Sequence, residues 1–169
     1  AVEFNPPGEL LTVTGMQISL TWNSGANLDL EVRDPVGGSL FWETPNVPSG
    51  GVFGENVNGA CNALITGGPR EEAQWPAGVI PTGSYELIVY FQQQQDCPNN
   101  DPVSVTLSAV VDGNPIEPIE GTLLPNQIYL ANFVVAEDGT VTTGLHGVKV
   151  DPPTVQGVVL TNSTPINLS

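Results

Sequence analysis

Val103-Ser104-Val105-Thr106-Leu107-Ser108-Ala109-Val110-Val111, followed by Asp112-Gly113-Asn114-Pro115, is the stretch that decides the fold. Val103, Val105, Leu107, Ala109 and Val111 alternate with polar residues, the period of two that marks a strand with one buried face. Asp-Gly and Asn-Pro then turn the chain.

Working outward, the same period recurs on both sides. Residues 10 to 22 end with Met16, Ile18, Leu20 and Trp22 on one face and Gln17, Ser19 and Thr21 on the other. Residues 27 to 32 repeat the alternation and stop at Arg33-Asp34-Pro35-Val36-Gly37-Gly38, a turn in which proline sets φ and glycine permits φ > 0. Leu40-Phe41-Trp42 reads as a short strand, and Tyr85, Leu87, Val89 and Phe91 share one face of another. Residues 116 to 124 read as a weaker strand and residues 128 to 136 as a strong one. From Glu43 to Gln74 no period persists, and this reads as a long loop, a feature usually functional or cross-linked in a compact domain.

Composition agrees with that reading. The 169 residues include 19 glycines and 16 prolines, which break long helices, and only 12% are charged, about half the usual share. The fold expected is all-β, an antiparallel β-sandwich of jelly-roll or immunoglobulin-like type, with a long cross-linked loop and an extended C-terminal strand segment. Residues 1–9 read as an N-terminal arm, 10–138 as the sandwich, and 139–169 as a C-terminal extension.

The charge balance excludes whole classes of partner. Three Lys+Arg stand against 18 Asp+Glu, a formal net charge of −15, so no basic patch for nucleic acid or anionic membrane can be built. No stretch approaches the ~20 apolar residues of a membrane span. The chain opens on Ala1, as a mature chain freed of a signal peptide would, and Cys61 and Cys97 both sit in loop-like surroundings. Paired, these two would close a loop worth about 4 kcal/mol in the chain-entropy model; two free thiols are the alternative. An extracellular or cell-surface location is expected.

Leu20 to Pro35 (Leu-Thr-Trp-Asn-Ser-Gly-Ala-Asn-Leu-Asp-Leu-Glu-Val-Arg-Asp-Pro), Ser49-Gly50-Gly51, Asn56 to Cys61, Glu72 to Pro76, Pro81-Thr82-Gly83-Ser84-Tyr85 and Cys97 occur in an order that resembles the YfaP-like (DUF2135) secreted bacterial domains, which look akin to pre-peptidase C-terminal β-sandwich domains. The resemblance implies an extracytoplasmic, non-catalytic accessory or structural module, with calcium as a possible ligand. The chain departs from the commoner pattern at Asn27 and Glu31, where that family often has Asp and His, and at Gly54-Glu55-Asn56, where it often has an Asp-rich run.

Asn27, Asp29 and Glu31 fall at alternate positions of one strand and share the face opposite Leu28, Leu30 and Val32. With Asp34 in the turn and Glu55, Asn58 and Glu72 in nearby loops, they could supply the six to eight oxygens that calcium takes. The competing reading is a solvated acidic face. Catalysis has poor material, because the single histidine, His146, leaves a nucleophile without a base, and no enzyme is expected. Trp22, Trp42 and Trp75 would make either a sugar-stacking platform or core packing. Asn162 and Asn167 head glycosylation sequons, and Lys149 reads as a surface lysine.

Two functions follow as expectations. The first is a structural subunit of an extracellular filament, pilus-like fibre or surface matrix, polymerised by exchange of a terminal strand, with Val155, Val158, Val159 and Leu160 as the donor residues. The second is an accessory module that binds surface glycans or protein beside a secreted hydrolase.

Overall fold

The computed structural model describes residues 15–54, 69–91 and 101–149. Within them the strands are β1 (Met16–Trp22), β2 (Leu28–Arg33), β3 (Ser39–Leu40), β4 (Val52–Phe53), β5 (Arg70–Trp75), β6 (Gly83–Phe91), β7 (Val103–Val111), β8 (Asn114–Pro115), β9 (Ile119–Leu123), β10 (Ile128–Val135), β11 (Val141–Thr143) and β12 (Gly147–Lys149). They form two antiparallel sheets packed face to face, the expected β-sandwich. The first runs β4-β5-β1-β7, with β8 and β9 end to end along the outer side of β7. The second runs β3-β2-β6-β10, with β11 and β12 end to end along β10.

Each end-to-end pair is one strand interrupted by a bulge. Val141 faces Val135 whereas Gly147 faces Leu130, so the register slips by one residue around 144–146. The same slip separates Val110–Pro115 from Leu107–Ile119. A bulge re-aims side chains and spoils an edge as a template for further pairing, and Pro115 and Pro118 add to that effect on the first sheet.

The apolar faces inferred from the alternation meet in one core. Ile18, Leu20, Leu107, Trp75 and Ala73 from the first sheet face Leu28, Leu30, Leu87, Phe91 and Phe133 from the second, all essentially excluded from solvent. Tyr85 stacks on Phe133 and meets Trp75 edge-on, with ring centroids 5.1 and 5.6 Å away. Its hydroxyl donates to the Pro81 carbonyl four residues upstream, which gives the Pro81-Thr82-Gly83-Ser84-Tyr85 segment its job as a corner. Gly83 has φ of 128° there and packs against the Pro35 ring, where a β-carbon would stand 2.7 Å from it. At the β7–β8 hairpin Asp112 and Gly113 both have positive φ, as the Asp-Gly signal requires.

Three expectations change. The stretch 43–74 is not loop throughout: β5 lies in the middle of the first sheet, hydrogen-bonded along its whole length to β1. Glu71 occupies an inward position of β5, so the alternation there lacks the apolar residue that would have marked it. Second, the sandwich does not stop at 138, because β11 and β12 complete the second sheet. Third, the strand predicted at 10–22 is described only from Met16.

The connections sort to two ends. Gly15, the turn 34–38, the corner at Tyr85 and the Asp112–Gly113 hairpin lie at one end; the Asp112 amide donates to the Gly15 carbonyl at 2.8 Å, and the Gly15 amide donates to Asp112 Oδ1 at 3.0 Å. The β1–β2 connection lies at the other, as do residues 54 and 69, 91 and 101, and Lys149. The chain therefore enters the described sandwich at one end and leaves it at the opposite one.

Gly51 tests the packing of the 45–54 segment on the core. A β-carbon there would stand 2.5 Å and 2.6 Å from Trp75 ring atoms and 2.9 Å from Val47, whereas at Gly54 the nearest atom is 3.6 Å away. Gly51→Ala is expected to lose about 1–3 kcal/mol by urea unfolding, and Gly54→Ala less than about 0.5 kcal/mol.

Candidate functional site

β2 carries the acidic residues singled out in the sequence. Its pairing with β6 sets Asp29 opposite Tyr90 and Glu31 opposite Ile88, on the outer face of the second sheet. That face is not wet. Asn27 and Asp29 are each 3% exposed and Glu31 is fully enclosed, beside a small apolar cluster of Ile88, Tyr90 and Leu130.

Each buried carboxylate on or near β2 has found a different solution. Glu31 accepts from Arg33 Nε at 3.0 Å, from Arg33 NH2 at 3.3 Å, from Ser39 Oγ and from the Tyr90 hydroxyl. Arg33 also reaches Glu86 at 3.5 Å. Burial first, and then the Glu31 charge, hold the Tyr90 phenol well above its ordinary range. Asp34 closes its own turn: Oδ1 accepts the Val36 and Gly38 amides at 3.0 and 2.7 Å, and Oδ2 accepts Ser49 Oγ at 2.6 Å. Ser49 in turn accepts Trp75 Nε1 at 2.9 Å, so one chain of hydrogen bonds runs from the turn into the core.

Glu71, on the other sheet, was not singled out from sequence. It is 1% exposed, and its Oε2 accepts the Leu30 amide at 2.8 Å across the gap between the sheets. β3 covers β2 only at Val32 and Arg33, so no strand among the described residues pairs with Leu30 on that side of β2.

Asp29 is the exception. Its Oδ1 and that of Asn27 are buried with no hydrogen-bond partner. Desolvation, reinforced by the neighbouring Glu43 carboxylate, pushes the Asp29 carboxyl up to about 6.

The candidate calcium carboxylates among the described residues, Asp29, Glu31, Asp34 and Glu72, therefore do not come together. Glu31 and Asp34 spend their oxygens on protein donors, and Glu72 pairs with Arg70 on the outer face of the other sheet. Asp29 alone keeps an unpartnered oxygen, and Glu55 and Asn58 lie outside the described residues. Among the described residues no group of three or more Asp, Glu, His or Cys is placed to hold a metal. Cys61, Cys97, Val155, Val158, Val159, Leu160, Asn162 and Asn167 also lie outside them.

The tryptophans divide. Trp22 and Trp75 are core residues, the first donating Nε1 to the Ala26 carbonyl at 2.9 Å, and only Trp42 is exposed. A three-ring sugar platform is not formed. His146, at the β11–β12 bulge, meets the Tyr129 hydroxyl through Nδ1 at 2.6 Å and so ties the bulge to β10.

Comparison of the chain with protein-family models, curated proteins and solved structures finds no match.

Asp29 sets a pH dependence whose sign is fixed. Its carboxyl titrates near 3.8 when unfolded and near 6 when folded, so the folded state binds more protons between those values. Stability then falls as pH rises through this window and stays lower above it, by an amount on the order of 3 kcal/mol. In chelating buffer, Asp29→Asn is expected to match the wild-type Tm near pH 4 and to exceed it by several degrees near pH 7.

Proposed function

We propose that this chain is a non-catalytic structural module of an extracellular filament or surface matrix, joined end to end through its terminal segments. The observation that carries this reading is the polarity of the sandwich: Gly15 and Lys149 lie at opposite ends of it. A segment leaving at one end of a subunit is then well placed to engage a neighbour stacked beyond that end, and repetition gives an open, head-to-tail chain.

The edges offer a place for a donated strand. Beyond Pro118 the outer side of β9 pairs with no strand among the described residues, and there only the Glu120 carbonyl is engaged, by Tyr129. Val155 to Leu160 is the donor segment we favour, because it follows Lys149 and is rich in β-branched residues. The net charge of −15 keeps free subunits apart until such specific pairing occurs. The resemblance to YfaP-like secreted domains supports an extracytoplasmic setting. Cys61 and Cys97 belong to connections that both start from the same end of the sandwich, which favours their pairing in an oxidising compartment.

Deletion of residues 150–169, which spares β12, tests the reading. Full-length protein is expected to form concentration-dependent polymers in sedimentation and negative-stain images, and the truncated protein to remain a folded monomer. A full-length protein that stays monomeric at high concentration refutes the proposal. For the cysteines, the unreduced intact mass is expected to be two hydrogens below that of the reduced chain, with no thiol open to alkylation.

A further inference from the structure

Asn27 and Asp29 stand apart from every other buried acidic or amide side chain near β2. Asn27 directly precedes β2 and Asp29 is its second residue; both are 3% exposed, and both leave Oδ1 without a donor. Leaving two buried acceptors unpaired, two residues apart in sequence, costs roughly 1–3 kcal/mol each. Something that presents positive charge to oxygen would remove that cost.

The chain itself has no cation to offer. Its three basic side chains are Arg33, Arg70 and Lys149. Arg33 is held by Glu31 and Glu86, and Arg70 by Glu72 and Ser19 on the other sheet. Lys149 lies on β12, separated from β2 by β6 and β10. At a strand spacing of ~4.8 Å that is about 14 Å, beyond the reach of a lysine arm. The charge of Glu43, an exposed residue, acts on Asp29 in the same unfavourable sense.

We propose that Asn27 Oδ1 and the Asp29 carboxylate, with Glu43 at the exposed rim, form a binding site for one hard divalent cation of the calcium type. An amide oxygen and two carboxylates are the donors calcium prefers, and its tolerance of irregular six- to eight-fold coordination lets water complete the shell. Magnesium, which demands a near-octahedral set and gives up water reluctantly, fits such a sparse site less well. With so few protein ligands the affinity belongs in the weak range of extracellular modules, a Kd of about 10⁻⁴–10⁻³ M. This site keeps Asn27 and Asp29 from the set inferred from sequence, drops Glu31, Asp34 and Glu72 and adds Glu43, and it is independent of the filament reading.

The test is calcium titration of the full chain, freed of metal with chelator, followed by calorimetry and by Tm near neutral pH. One Ca²⁺ per chain with a Kd in that range, a Tm raised by a few degrees and weaker binding of Mg²⁺ are expected. Asn27→Ala and Asp29→Asn should each weaken binding at least tenfold, and Glu72→Gln should leave it unchanged. Glu43→Gln, an exposed change that spares the buried pair, should weaken it severalfold and serves should either buried variant fail to fold. No saturable binding up to about 10 mM Ca²⁺ overturns the site and leaves a buried water as its occupant. Binding that survives both Asn27→Ala and Asp29→Asn unchanged overturns it equally.

Discussion

Three basic side chains serving eighteen acidic ones is the constraint on which the rest of this structure depends. In most domains a buried carboxylate meets a guanidinium or ammonium. Here Glu31 does so, through Arg33 from two residues along its own strand. Asp34 and Glu71 accept instead from a hydroxyl and from backbone amides, and Asp29 keeps one oxygen without a donor. Hydrogen bonds to a charged group contribute about 1.5–3 kcal/mol each, so a carboxylate with three donors can stay buried without a counter-ion. This explains why Tyr90, Ser39 and Ser49 stand where they do: Ser49 donates to Asp34, which meets no cation, and Tyr90 and Ser39 supplement the single guanidinium on Glu31.

Glu71 shows the same economy applied to the backbone. β3 is two residues long, and among the described residues the first half of β2 has no strand on that side. An unpaired, buried amide at Leu30 would be costly. Glu71 reaches over from the opposite sheet to accept it, and thereby ties the two sheets together at the corner where their edges meet. A carboxylate at that corner also discourages another strand from pairing there, the usual role of charge on an exposed edge. The core glutamate is thus an edge device, and its position follows from the brevity of β3.

Much of the fold was legible because the period of two survives wherever one face meets the core and the other meets water. β1, β6, β7 and β10 were read from alternation alone, and their inward residues form the core. The failures have one cause. Alternation reports polarity, and this chain buries polar groups on both kinds of face. Glu71 sits at a core-facing position and so hid β5, while Asn27, Asp29 and Glu31 sit on an outer face that is closed over instead of wet. The bulge at 144–146 broke the period of β11 and β12 and made them read as tail. None of the donors that satisfy Glu31 across strands is visible in sequence, since Tyr90 lies far from it along the chain and meets it only through the β2–β6 register.

The two ends of the sandwich are built to different standards, and that difference bears on where function resides. At the Gly15 end every connection is short and internally bonded: the Asp34 turn, the Tyr85 corner, the Asp112–Gly113 hairpin and the turn where Ala136 and Thr140 pair. Such turns fix register and leave little to vary. At the opposite end lie the flanks of the longer connections, the exit at Lys149, and the Asn27–Asp29 pair with its unpartnered oxygens. Loops on a rigid scaffold are where binding residues concentrate, because the scaffold holds them in place while their composition is free. Unsatisfied buried acceptors would be removed by selection for stability alone; Asn27 and Asp29 retain them at this end and nowhere else among the described residues. The proposed cation site and the exit of the proposed donor segment thus share one end of the sandwich, and the tightly turned end is the base from which both are held.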